Sequence, residues 1–143
     1  MTIWDLQLAI SRRLLAWSAL SGLTGAGLIV WGSPFWRGFG IQAVAWGLID
    51  AAIALFGRRR MSRRRATLDS PEQRARESFK LWRLLWLNTG LDVLYIVGGL
   101  LLALTFGAND SAARGHGWGI VAQGTFLFFF DLIHARILPR AGV

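Results

Sequence analysis

Read for its runs of apolar and polar positions, the chain resolves into four long apolar stretches, roughly Leu14 to Gly32, Phe39 to Gly57, Trp82 to Phe106 and Gly117 to Leu138. Each is near the roughly 17–25 residues that a helix needs to cross a bilayer. The pattern predicts an all-α integral membrane protein, four transmembrane helices in one bundle, with residues 1–143 forming a single membrane domain. Within it, residues 1–12 read as an interfacial N-terminal segment and residues 58–80 as a basic cytoplasmic loop with a helix extension.

Punctuation between the stretches supports this division. Thr2 with Asp5 has the spacing of a capping box and opens a short interfacial helix that sets Trp4 at headgroup depth. Ser70-Pro71-Glu72-Gln73 is a stronger start signal: Ser70 caps, Pro71 suits the first helical position and Gln73 reaches back. Trp31, Trp36 and Trp118 fall at one rim, and Trp4, Trp82 and Trp86 at the other, as aromatic belts do. Arg12 and Arg13 follow the first apolar residues and no small-residue cleavage motif follows the first long span, so Leu14 to Gly32 is expected to stay as a helix.

Composition agrees with the pattern. The 143 residues are 54% hydrophobic and 17% charged, with a mean hydropathy of +0.43, too apolar for a water-soluble domain of this length. Charge then chooses an orientation. Of sixteen Lys and Arg, only Arg37 and Arg114 fall between spans on one side. By the positive-inside rule both termini are cytoplasmic, and the setting is a bacterial-type cytoplasmic membrane. The run Arg58-Arg59-Arg60-Met61-Ser62-Arg63-Arg64-Arg65 suggests a nucleic-acid patch, given a pI near 11.7. Placed between two spans, it is better explained as a topology determinant whose Arg58, Arg59, Arg60, Arg63, Arg64 and Arg65 touch anionic lipid headgroups.

Against this apolar background three carboxylates stand out. Asp50, Asp92 and Asp131 each interrupt a spanning stretch, and a central Asp costs about 2.5–3.5 kcal/mol on insertion scales. At 100° per residue, Asn88, Asp92 and Tyr95 share one stripe of the third helix, Gln42, Trp46 and Asp50 one stripe of the second, and Gln123, Asp131 and His134 one stripe of the fourth. Ser18, Ser21, Gly22 and Gly25 give the first helix a small-residue face for close packing. Counted at 1.5 Å per residue, the three acids occupy one layer, about 12 Å from Arg58 on the second helix and about 14 Å from Arg83 on the third. Asp131 sits near the interface, where Arg136 or Arg140 is a candidate partner. Gln42 and Gln123 form a second, uncharged layer about 12 Å further out, so that the polar groups trace a path through much of the bilayer.

A repeat underlies these positions. Gln42 and Asp50 are spaced as Gln123 and Asp131 are, and Arg13-Leu14-Leu15 matches Arg83-Leu84-Leu85. Both halves start on one side, which makes two parallel repeats of a helical hairpin about an axis along the membrane normal.

Three crowded carboxylates in low dielectric cannot all stay ionised, so the layer shares a proton or a cation. The expected function is therefore binding of a proton, cation or small polar ligand at Asp50, Asp92, Asp131, Asn88, Gln42, Gln123 and Tyr95, for transport or conduction. The alternative is a non-catalytic accessory or scaffold subunit, in which the same groups fix helix packing and the Phe126 to Phe130 run faces lipid or a partner, in a homo-oligomer or larger complex. Asp131 and His134 have the i, i+3 spacing of a metal-ligand pair, a weaker signal that Asp50 and Asp92 would have to complete. Haem has a single span histidine to use, and His116, between two glycines of the outer loop, reads as solvated. No cofactor is expected beyond a bound cation. The chain has no cysteine, no phosphate-binding glycine loop and no nucleophile–base constellation, which argues against an enzyme.

Overall fold

The computed structural model describes residues 2–67 and 70–138. Four α-helices account for almost all of them: α1 (Ile3–Trp31), α2 (Pro34–Thr67), α3 (Pro71–Leu104) and α4 (Ser111–Ile137), with a 3-10 turn at Phe106–Ala108 before α4. All four are long and apolar enough to cross a membrane. Leu20, Leu23, Leu48, Leu87, Leu94 and Leu101 point outward and exposed, which in lipid needs no partner.

The starts are those the residues specify. Asp5 N–H donates to Thr2 Oγ1 (3.2 Å) while Thr2 N–H donates to Asp5 Oδ2 (3.0 Å). Ser70 and Gln73 reciprocate in the same way at the head of α3, with Pro71 following the cap. On α4 the cap is Asp110, whose Oδ1 accepts from Ala112 and Ala113 N–H at 2.9 and 3.1 Å. These acceptors satisfy amides that no helical carbonyl reaches.

The helix expected to start at Thr2 does run into the first span, α1 being unbroken from Ile3, but it does not hold Trp4 at headgroup depth. Its first turn tucks under the bundle, burying Ile3, Trp4 and Leu6 against Leu85, Ala135 and Leu138, so Trp4 closes the core and leaves the aromatic belt. The arginine run is not a loop. Arginine is a good helix former, and α2 continues through Arg58–Arg65 to Thr67, beside the start of α3, where Arg64 and Lys80 both pair with Glu77. At 34 residues each, α2 and α3 are about 50 Å long and outrun a hydrocarbon core of about 30 Å.

Packing follows the hairpins. α1 lies along α2 and α3 along α4, the second helices α2 and α4 meet centrally, and α1 and α3 barely touch. That is the arrangement of two parallel hairpins about a central axis. Small residues set the spacing: a Cβ on Gly25 would lie 2.6 Å from the Gly40 carbonyl oxygen, and one on Gly99 2.7 Å from that of Gly117. Gly115 leaves no room for a side chain against the Phe35 carbonyl, which brings α2 and α4 into backbone contact. Of the stripe expected on α1, Ser18, Ser21 and Gly25 are buried. Gly22 faces open space.

Candidate functional site

The three carboxylates converge. Asp50, Asp92 and Asp131 are 2%, 3% and 7% exposed, and all three line one cavity of about 460 Å³, walled by α2 and α3 with α1 and α4 behind them. Asn88 and Asp92 of α3 line this cavity together with Asp131 of α4. Asp50 Oδ2 and Asp92 Oδ2 are buried and accept a hydrogen bond from none of the described residues.

Above and below the acids the lining changes character. One helical turn toward the end of the bundle that holds Pro34, Trp46 meets Tyr95 edge-on with centroids 5.0 Å apart, and no lining residue lies beyond this pair on α2 or α3. Toward the opposite, basic end come Ile53, Ala54, Leu81, Leu84 and Leu85, and then Arg60, Arg64, Glu77 and Lys80 at the mouth. The site is thus a blind pocket with an aromatic end, an acidic layer, an apolar collar and a cationic rim. It is also open sideways. Ile49, Ile53, Leu84 and Leu91 line it and are 38–58% exposed, since α2 and α3 are splayed apart along this stretch.

Of the residues expected in the site, Asp50, Asp92, Asp131, Asn88 and Tyr95 are brought together, whereas Gln42 and Gln123 are not. Gln42 Nε2 lies 3.0 Å from His116 Nδ1, joining α2 to α4. His116 is accordingly a helical, half-buried residue and not a solvated loop histidine. Gln123 is 3% exposed; its Oε1 accepts from Trp17 Nε1–H at 3.0 Å and its Nε2 donates to Ser21 Oγ at 3.4 Å. The two amides fasten different helix pairs, so the outer polar layer and the continuous polar path do not form.

The metal expectation also fails on geometry. His134 Nδ1–H donates to the Phe130 carbonyl at 2.6 Å, which leaves Nε2 as the acceptor, and Arg13 Nη1 donates to it at 2.9 Å. Both nitrogens are engaged away from Asp131, and among the described residues no three His, Asp or Glu side chains come close enough to hold a metal ion. Of the two expected partners of Asp131, Arg140 lies outside the described residues and Arg136 is exposed, while Asp131 is buried in the cavity with Asn88 and Asp92. Arg60 and Arg64 face the mouth, while Arg58, Arg59, Arg63 and Arg65 are exposed around the rest of the helix.

Sequence reasoning placed Tyr95 in the site and Trp46 on the inward stripe of α2 but left Trp46 out of the site, and it missed the side opening. Trp46 could have been included from its place one turn from Asp50; the opening could not, because it depends on how far apart two helices stand.

Residues 13–132 match the model of a family described as a family of unknown function (DUF6992), and the chain belongs to that family. The matched segment contains all three acids. No curated protein and no solved structure matches the chain.

Proposed function

We propose that this member of the DUF6992 family binds a cation, inorganic or organic, at the layer of Asp50, Asp92 and Asp131, and that the binding serves transport. One observation carries the reading: two buried carboxylate oxygens, Asp50 Oδ2 and Asp92 Oδ2, have no partner among the described residues and belong to residues that line a cavity. An orphaned buried acceptor is costly, and a cation or proton donor satisfies it. Asp131, buried in the same cavity, adds a third carboxyl group to the layer, and carboxyl groups crowded in low dielectric exchange a proton for a cation readily. Transport to the other side requires Trp46 and Tyr95 to separate.

The basic end faces the cytoplasm in this reading, supported by the concentration of arginine at the ends of α2 and α3, and the setting is a bacterial cytoplasmic membrane. Exposed Arg58, Arg59, Arg63 and Arg65 then lie where anionic headgroups are. The accessory-subunit alternative accounts for Gln42 and Gln123, each bonded within the bundle, but gives Asp50 nothing to do.

The test is stabilisation of purified protein in a neutral detergent by acid, Na⁺, K⁺, Mg²⁺ and organic ammonium ions. At least one is expected to raise the melting temperature of the parent and not that of an Asp50→Asn, Asp92→Asn double variant. If none does, the acids are packing groups and the accessory reading replaces this one.

A further inference from the structure

Resting on the cation-site reading, we infer that the ligand is a lipophilic organic cation, an ammonium group on a hydrocarbon or aromatic body, which enters from the bilayer between α2 and α3. Three features of the pocket choose this class over an inorganic ion.

The first is size and lining. A cavity of about 460 Å³ has room for some fifteen waters at about 30 Å³ each, far more than a bare metal ion fills. Between the acids and the mouth its wall is mostly apolar, Ile10, Leu14, Ile53, Ala54, Leu81, Leu84 and Leu85, with the Ser11 hydroxyl the polar group at that level, too few donors and acceptors to replace an ion's water. Such a wall suits the apolar body of an organic ligand.

The second is the route. Arg60, Arg64 and Lys80 stand at the basic mouth, and Glu77 is already shared between Arg64 and Lys80, so the rim is net positive and opposes a hydrated cation arriving from water. The side opening between Ile49, Ile53, Leu84 and Leu91 carries no charge. A lipophilic ammonium ion partitions into lipid at this depth, where hydrated Na⁺ or K⁺ does not.

The third is the end wall. Trp46 and Tyr95 sit one turn beyond the acids, and an ammonium group paired with Asp50 comes within range of the indole face, the best aromatic partner for a cation. An apolar collar, an acidic layer and an indole in sequence read the two ends of such a molecule separately.

The experiment uses full-length protein in a neutral detergent, with benzyltrimethylammonium as probe and neopentylbenzene, its uncharged carbon isostere, as control. Benzyltrimethylammonium is expected to raise the melting temperature saturably and neopentylbenzene not to. Trp46→Leu is expected to weaken the apparent Kd by about threefold to thirtyfold. Since Trp46 also packs, Ile53→Trp provides a second variant: it blocks the side opening from an exposed position and should abolish the response of a protein that melts as the parent does. Equal stabilisation by neopentylbenzene would mean that the pocket takes any apolar body, and would overturn the inference. Stabilisation by Na⁺, K⁺, Mg²⁺ or acid through Asp50, with none by benzyltrimethylammonium, would overturn it while leaving the cation site standing. Silence toward every cation and proton would remove both.

Discussion

Replacing Asp50 by asparagine should make the empty protein no less stable and the liganded protein less so. Asp50 Oδ2 is buried without a partner among the described residues, and the neighbouring Asp92 Oδ2 is in the same state. An unsatisfied buried polar group costs about 1–3 kcal/mol. Asparagine keeps the shape, removes the titratable group and brings two N–H donors beside the second orphan, so the variant should gain from nothing to about 2 kcal/mol. For a chain of this size 1 kcal/mol moves the midpoint by about 3–5 °C, giving a rise of up to about 10 °C.

Ligand acts in the opposite direction. A cation that binds only the folded parent adds RT ln(1 + [L]/Kd), about 2.7 kcal/mol at a hundredfold excess. If the variant starts about 1.5 kcal/mol ahead, the order of stability reverses once ligand exceeds Kd by about tenfold. Melting curves of both proteins across a ligand series read this crossing directly. A variant that melts well below the parent without ligand, and responds to ligand equally, would show that the carboxylate is a packing group and refute the reasoning.

Other parts of the molecule make separate claims. Gly25→Leu drives a side chain into the Gly40 carbonyl and should cost about 1–3 kcal/mol or more, read as a lowered melting temperature with loss of cross-linking between cysteines placed across α1 and α2. Gln123→Leu strands the Trp17 indole N–H, an expected loss of about 1–3 kcal/mol with no change in cation response, because Gln123 is outside the pocket. Reporter fusions at Thr67 should be cytoplasmic, and fusions at Ser33 and Asn109 should be on the other side; the reverse result would invert the proposed orientation.

Much of this was legible in the chain because it is local. The apolar lengths, the Thr2 and Ser70 caps and the azimuths of Asp50, Asp92 and Asp131 follow from period and spacing alone. The α4 start was legible too, in Asn109-Asp110-Ser111, but Arg114 and the glycines at 115, 117 and 119 mask it by diluting hydropathy, so the apolar stretch begins only at Gly117. Charge misled in the opposite way at Arg58–Arg65, where a run that reads as a loop is a helix held beside α3 by Glu77. The partners of Gln42, Gln123 and His134 were not legible. Asp50, Asp92, Gln123, Asp131 and His134 were assigned correctly to inward arcs, whereas Gly22 was not; which neighbour an inward amide meets depends on helix rotation and on the width of the facing side chains.

That width also explains how one repeat produced one pocket. Two hairpins about a central axis create two equivalent grooves, α1 against α4 and α3 against α2. In the first, Trp17 stacks on Phe126 with centroids 3.7 Å apart, Phe130 packs on His134, and Arg13 closes on that histidine. Setting Gln42 and Asp50 against Gln123 and Asp131 puts Ala45 where Phe126 stands, Ile49 where Phe130 stands and Ile53 where His134 stands, and the matching of Arg13 with Arg83 puts Leu87 in the place of Trp17. Four ring-bearing side chains are thus replaced by an alanine and three aliphatics, and the cavity opens on the side of the smaller ones, with Phe130 forming part of its far wall. The acids make the difference consequential. Asp131, on the helix whose other face fills the closed groove, lines the cavity with Asn88 and Asp92 and so adds its charge to the open one. The symmetric backbone therefore carries an asymmetric interior, with structural polar groups in the filled groove and unpartnered ones in the empty groove. Restoring the bulk tests this account directly: Ile49→Phe with Ile53→Trp should raise the melting temperature of the unliganded protein and remove its response to every cation. A doubly filled protein that still bound a cation through Asp50 would show that the open groove is not where the ligand goes.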